Sequence, residues 1–86
     1  MRSGEYERLS TALRRLLSER VRECRLELGL SQEHMAERLY VSCRTYGNLE
    51  RGVYCFSALP LIAFLALYGA EARNRILNDF SSRTAA

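Results

Sequence analysis

Arg44, Asn48 and Arg51 are the side chains of this sequence best equipped to read another molecule, and they lie close together. An arginine fork donates two parallel hydrogen bonds, matching the two major-groove acceptors of guanine or the oxygens of a phosphate. An asparagine amide donates and accepts at once, matching the edge of adenine or, again, a phosphate. If residues 43–51 form a helix, Tyr46 and Leu49, three apart, make its apolar side. The opposite side then carries Cys43, Arg44, Thr45, Gly47, Asn48 and Arg51. Such a helix, presented by its N-terminal end, fits the major groove of duplex DNA. The alternative for Arg44 and Asn48 is an ordinary solvated surface.

The elements that must hold this face follow from spacing and caps. From Tyr6 to Leu28 the apolar positions Leu9, Leu13, Leu16, Leu17, Val21, Cys24 and Leu28 recur mainly at steps of three and four, the pattern of one buried helical stripe. Ser18 could divide this stretch, but the stripe keeps its phase there, which favours one long helix. Residues 1–5 are read as a frayed end, and Gly29 is placed to cap the helix. Ser31 is an N-cap for a helix over Gln32–Leu39 that buries Met35, Ala36 and Leu39, with Glu33 suiting its first turn. Ser42 is the N-cap for Cys43–Arg51, which Gly52 ends. The small Ala36 lets these two short helices cross closely. Ser57 caps a fourth helix, Ala58–Tyr68, with Pro60 in the first turn, where a missing amide does no harm. After Gly69 a last helix spans Glu71–Phe80, with Ala72, Ile76, Leu77 and Phe80 on one side, and Ser81–Ala86 is read as a loose tail.

The run Gly29-Leu30-Ser31-Gln32-Glu33-His34-Met35-Ala36-Glu37-Arg38-Leu39, then Val41-Ser42, then Leu49-Glu50-Arg51-Gly52, resembles the phage-repressor helix-turn-helix family, the Cro and lambda-repressor type. The resemblance covers roughly residues 17–68. It implies an all-α, compact five-helix lambda-repressor-like DNA-binding domain over residues 1–86, with its motif at 31–51 and an N-terminal extension of the first helix at 5–17. It also implies that Gln32 contacts a DNA phosphate and that Ser42, Cys43, Arg44 and Asn48 face bases or nearby phosphates. Arg44 is the expected guanine contact, and Arg51 and Arg38 are expected to neutralise phosphates. Arg25 and Glu50 match a pair that forms an internal salt bridge in the family. The chain departs from the family pattern in four places. Tyr40 stands in the turn where Gly is usual, and a left-handed backbone there costs about 1 kcal/mol or more for a bulky residue. Tyr46 replaces a buried aliphatic, so its hydroxyl needs a partner. His34 stands where a Glu would complete a capping box. Gly47 lowers helix propensity but lets the backbone approach DNA closely.

Composition supplies little for other chemistries. With 86 residues, 48% of them hydrophobic and 27% charged, the chain reads as one soluble domain. The longest apolar stretch, Ala58–Ala70, falls short of the roughly 20 residues a bilayer span needs, and lies too late to be a signal peptide. No membrane partner is expected, and the chain is read as cytoplasmic. Cys24, Cys43 and Cys55 show no CxxC pairing and His34 is the one histidine, so neither a disulfide framework, a metal nor a cofactor is expected. Cys24 belongs to the core stripe and Cys55, beside Phe56, to packing. Cys43 is either a small DNA-facing residue or a thiol able to sense oxidants. His34 reads as a surface residue, with a pH switch as the alternative. An enzyme is not expected, for want of a histidine in catalytic context, a carboxylate pair or a phosphate-binding glycine loop.

All thirteen basic residues are Arg and the net charge is +3. This suits phosphate and guanine recognition, and codon bias would produce it too. Residues 1–30 hold seven Arg against five Glu, whereas residues 31–56 hold three of each. The reader itself is therefore neutral, which predicts modest, salt-dependent non-specific DNA affinity. The run 58–68 is apolar all round and should be covered on two sides. One side faces the motif; the other meets the N-terminal extension, the last helix or a second subunit. A homodimer reading a palindrome is expected, with the N-terminal helix and the Ile76/Leu77/Phe80 face as candidate surfaces. The functional expectation is a sequence-specific double-stranded DNA-binding regulator, a repressor reading the major groove with residues 43–51. The alternative is an interaction module, an antitoxin or adaptor with a protein partner on the Ala58–Phe80 surface.

Overall fold

Leucine, arginine, glutamate and alanine recur along the whole chain, and all four favour helix. The computed structural model describes residues 3–84 and contains α1 (Ser3–Glu27), α2 (Gln32–Arg38), α3 (Cys43–Glu50), α4 (Ala58–Tyr68) and α5 (Ala70–Thr84). The first helix is unbroken through Ser18, 25 residues long. It begins at Ser3, so residues 3–5 are helical where a frayed end was expected; residues 1 and 2 lie outside the described part. Leu16, Leu17, Val21 and Cys24 are buried, and Leu9 and Leu13 are half-buried, as the stripe requires. Leu28 lies beyond the helix end and is exposed, leaving the stripe.

The core joins Leu16, Leu17 and Val21 to Met35 and Ala36 of α2, Leu39 just past its end, Tyr46 of α3, Phe64 of α4 and Ile76 of α5. Each large side chain so buried contributes roughly 1.5–3 kcal/mol. α1 packs against both α3 and α5, and α4 against α5. The Arg20 guanidinium donates to Asp79 Oδ2 at 2.9 Å, tying α1 to α5. The Arg73 guanidinium donates to the Leu65 carbonyl at 3.2 Å, tying α5 to α4. Phe64 stacks on Phe56 with centroids 5.8 Å apart and meets the edge of Tyr68 at 5.3 Å.

Four expectations are corrected here. α5 continues through Thr84, so residues 81–84 are helix and not a loose tail; residues 85 and 86 lie outside the described part. Phe80 packs against the core and the adjacent Asp79 is bonded by Arg20 of α1, so the helix is anchored just before a last turn whose propensity alone is weak. Leu77 does not share the inward side with Ala72, Ile76 and Phe80: it is 59% exposed, since those three recur every fourth residue and Leu77 falls about 100° further round. Ser57 occupies the N-cap position of α4 but makes no capping hydrogen bond. The third residue of that helix is Pro60, which has no amide to offer it. α4 is also covered on one side only, with Leu59 60% and Ile62 62% exposed. Among the described residues no helix is long and apolar enough to cross a membrane.

Candidate nucleic-acid interface

Two hydroxyl caps set the reader. Ser31 Oγ accepts from the His34 amide at 3.1 Å, starting α2, and Ser42 Oγ accepts from the Thr45 amide at 3.1 Å, starting α3. His34 takes the capping bond through its backbone, although its side chain cannot return one as a Glu would. Between them the turn is closed at Tyr40, whose φ is 62°. The Val41 amide bonds to the Ala36 carbonyl at 3.0 Å and the Tyr40 amide to the Glu37 carbonyl at 3.2 Å. The same pair of backbone bonds closes α1 at Gly29 and α3 at Gly52, where φ is 68° and 73°. The family's usual glycine would adopt this left-handed geometry freely; Tyr40 adopts it at a cost, with its ring 71% exposed. Buried Ala36 lets α2 and α3 cross, and Tyr46 and Leu49 turn inward.

The outward side of α3 holds Cys43, Arg44 and Arg51 exposed, with Thr45 and Asn48 half-buried. Arg44, Asn48 and Arg51 stand at steps of four and three and so form one row along the helix. Arg51 donates through Nη2 to Asn48 Oδ1, and Asn48 Nδ2 lies 3.5 Å from the Tyr54 hydroxyl. The first turn of α3 contains no acidic side chain, so its positive dipole end is left open to an anion. Ser42 and Thr45 are engaged with each other, Oγ to Oγ1 at 3.0 Å, and build the cap. Gly47 is placed differently from the sequence reading: it is buried, with a Cβ added there meeting Arg51 Nη1 at 3.6 Å. The Arg51 guanidinium covers the backbone that was expected to lie open.

Behind this face a charged network locks α3 to α1. Arg25 Nε and Nη2 donate to Glu50 Oε2 and Oε1 at 2.9 and 3.0 Å, and Arg25 Nη1 donates to the Leu30 carbonyl at 3.1 Å. Gln32 Nε2 donates to Glu50 Oε1 at 3.2 Å. The salt bridge is thus present as the resemblance implied, and Gln32 belongs to it in the free chain. Burial alone would raise the Glu50 carboxyl, but the hydrogen bonds it accepts, Arg25's above all, hold it below its ordinary value. The Tyr46 hydroxyl faces this network, fully buried and without a partner in hydrogen-bonding geometry. Burial raises its ionisation well above that of an ordinary tyrosine, with the Glu50 carboxylate adding to the effect.

Arg38 stands apart from the row, lining a separate hollow with Leu30, His34 and Glu37. Cys24 is buried, and burial together with the Glu27 charge pushes its thiol up to about 11. Cys43 is exposed on the reader and Cys55 is half-buried. Among the described residues no cluster of His, Cys, Asp and Glu could hold a metal. The structure also brings up residues that the sequence reading passed over. Tyr54 reaches Asn48, and Arg14, Arg15 and Arg51 line one hollow beside the end of α3. The surplus of arginine in residues 1–30 was the signal for the latter, but it does not say which of the seven meet.

The model of a helix-turn-helix family matches residues 21–73. No curated protein and no solved structure matches the chain. The capped α2–α3 pair, the inward Ala36, Tyr46 and Leu49, and the Arg25–Glu50 bridge all lie within the matched residues. The chain belongs to the DNA-binding helix-turn-helix family of the Cro and lambda-repressor type.

Proposed function

We propose that the protein is a sequence-specific regulator of transcription, a repressor that lays α3 into the major groove of double-stranded DNA. The observation that carries this reading is the row Arg44, Asn48 and Arg51 on a helix whose other side is buried and whose first turn lacks acidic residues. Arg44 reads guanine through its two-donor fork. Asn48 reads adenine or holds a phosphate once Arg51 releases it, and Arg51 neutralises a phosphate. Ser42 and Cys43 lie at the entering end, where Thr45 supports the cap. Gln32 reaches a phosphate from the start of α2, and Arg38 meets the backbone more distantly. Gly47 serves by letting Arg51 lie close. Repression needs only occupancy of an operator, with no chemical step from the bound protein.

The protein acts as a homodimer, since two readers on a palindrome double the specific contacts. The exposed Leu59 and Ile62 of α4, three apart, are the apolar surface that supports pairing. The same observation supports the second reading, an antitoxin or adaptor that offers this surface to another protein. Selection of bound sequences from a random duplex pool, at about physiological salt, tests the first reading. An enriched palindrome with half-sites about one helical turn apart is the expected outcome. A pool that stays random overturns it and favours the second.

A further inference from the structure

We propose that the N-terminal extension of α1 carries a second DNA contact, a clamp for a backbone phosphate built by Arg14, Arg15 and Arg51. The inference rests on the DNA-binding reading above and concerns residues outside the matched 21–73 for two of its three arginines. A hollow of about 220 Å³ beside the end of α3 is lined by Thr11, Arg14, Arg15, Ser18, Arg51 and Gly52. Three arginines and two hydroxyl-bearing residues line it, and no acidic residue does. Guanidinium forks bind phosphate in two-point fashion, and hydroxyls add neutral donors.

The position of the hollow identifies duplex DNA as the source of the phosphate. Arg51 is shared: it closes the row that starts at Arg44 and also lines the hollow. Seven residues of helix separate Arg44 from Arg51, about 10 Å of rise, against a major groove about 12 Å wide. A helix whose Arg44 meets base edges therefore brings Arg51 to the rim of the groove, where the phosphates run. At Gly52 a Cβ would lie 3.4 Å from Ser18 Oγ, so the end of α3 sits directly on α1 at this point. The clamp also accounts for the charge distribution. The reader, residues 31–56, is neutral, while residues 1–30 carry net +2 and hold Arg14 and Arg15. The non-specific attraction a neutral reader lacks comes from the helix beside it.

The test measures binding of the full chain to two 30-base-pair duplexes, one bearing the selected sequence and one scrambled, across a salt series. Arg14→Gln/Arg15→Gln is compared with Arg22→Gln/Arg75→Gln, which removes the same charge from exposed positions that do not line the hollow. The clamp variant is expected to weaken binding to both duplexes alike, about eightfold for each arginine removed at about 0.1 M salt. Its log–log salt slope should become shallower by about one for each of the two arginines. The control variant should keep the wild-type slope and base preference. A clamp variant whose slope matches the control overturns the inference while the DNA-binding reading stands. A wild type that binds neither duplex overturns both. If the double variant loses its helical signal, Arg15→Gln alone is used with duplexes ethylated at single phosphates. Ethylation beside the half-site should weaken the wild type more than Arg15→Gln, which has already lost part of the contact; equal weakening of both overturns the clamp.

Discussion

α3 and α4 both leave one side open, and the two open sides are opposite in character. α3 offers Arg44, Asn48 and Arg51 on a helix whose buried side is anchored by Tyr46 and Leu49. α4 offers Leu59 and Ile62 while Pro60 and Phe64 turn inward. Their starts differ as well: Ser42 caps α3 through its hydroxyl, whereas Ser57 faces a proline and caps nothing. A polar open face with a free dipole end suits an anionic ligand that stays hydrated until it binds. An apolar open face stabilises only by meeting another apolar surface. Under the function proposed above, the difference assigns two tasks to adjacent helices, reading to one and assembly to the other.

The sharpest way to break this division is to unlock α3. Glu50→Ala leaves Arg25 partly buried without its carboxylate, and the fold should lose about 3 kcal/mol in denaturant titration, with DNA binding falling as α3 loosens. The same bridge gives a pH dependence. Glu50 ionises more readily folded than unfolded, so the stability it contributes is present above its ordinary value of 4.5 and is lost as the pH falls through the lower folded value. Melting temperature followed downward from pH 6 should show a loss that Glu50→Gln no longer shows.

On α4, Leu59→Ser with Ile62→Ser should weaken self-association by about 2–3 kcal/mol in sedimentation while leaving monomer stability nearly unchanged, because both side chains are already exposed. A large fall in monomer stability instead would show that these residues pack within the chain. On α3, Arg44→Ala should cost about 1–3 kcal/mol of operator affinity and relax preference at one base position. Unchanged preference would remove Arg44 from the reading face. The smallest effect belongs to the turn between α2 and α3. Tyr40→Gly should raise stability by about 0.5–1 kcal/mol, since glycine takes a φ of 62° without strain but gives back part of the gain in unfolded-state entropy.

Much of this architecture is legible in the chain because it rests on local rules. The stripe from Leu9 to Cys24, the caps at Ser31 and Ser42, and the stops at Gly29 and Gly52 each depend on residues a few positions apart. Ser57 misleads because its capping partner is an amide that proline abolishes, a conflict between two local rules applied separately. The last turn of α5 is not legible because Ser81, Ser82 and Thr84 are weak helix formers, while the helix they continue is anchored to α1 by the distant Arg20–Asp79 bond. Helical geometry alone puts Gly47 on the open side and says nothing of a neighbouring arginine folding back over it.

By itself the sequence determined five helices, a helix-turn-helix at residues 31–51 and the row of polar side chains on its second helix, because periodicity and capping act within one or two turns. Tertiary structure alone decided that Arg14 and Arg15 share one hollow with Arg51 from a different helix, and that Leu59 and Ile62 remain uncovered. These depend on how α1 and α4 lie against their neighbours, and hydrophobic burial, which fixes that arrangement, is non-directional and leaves no pattern of its own in the spacing of residues.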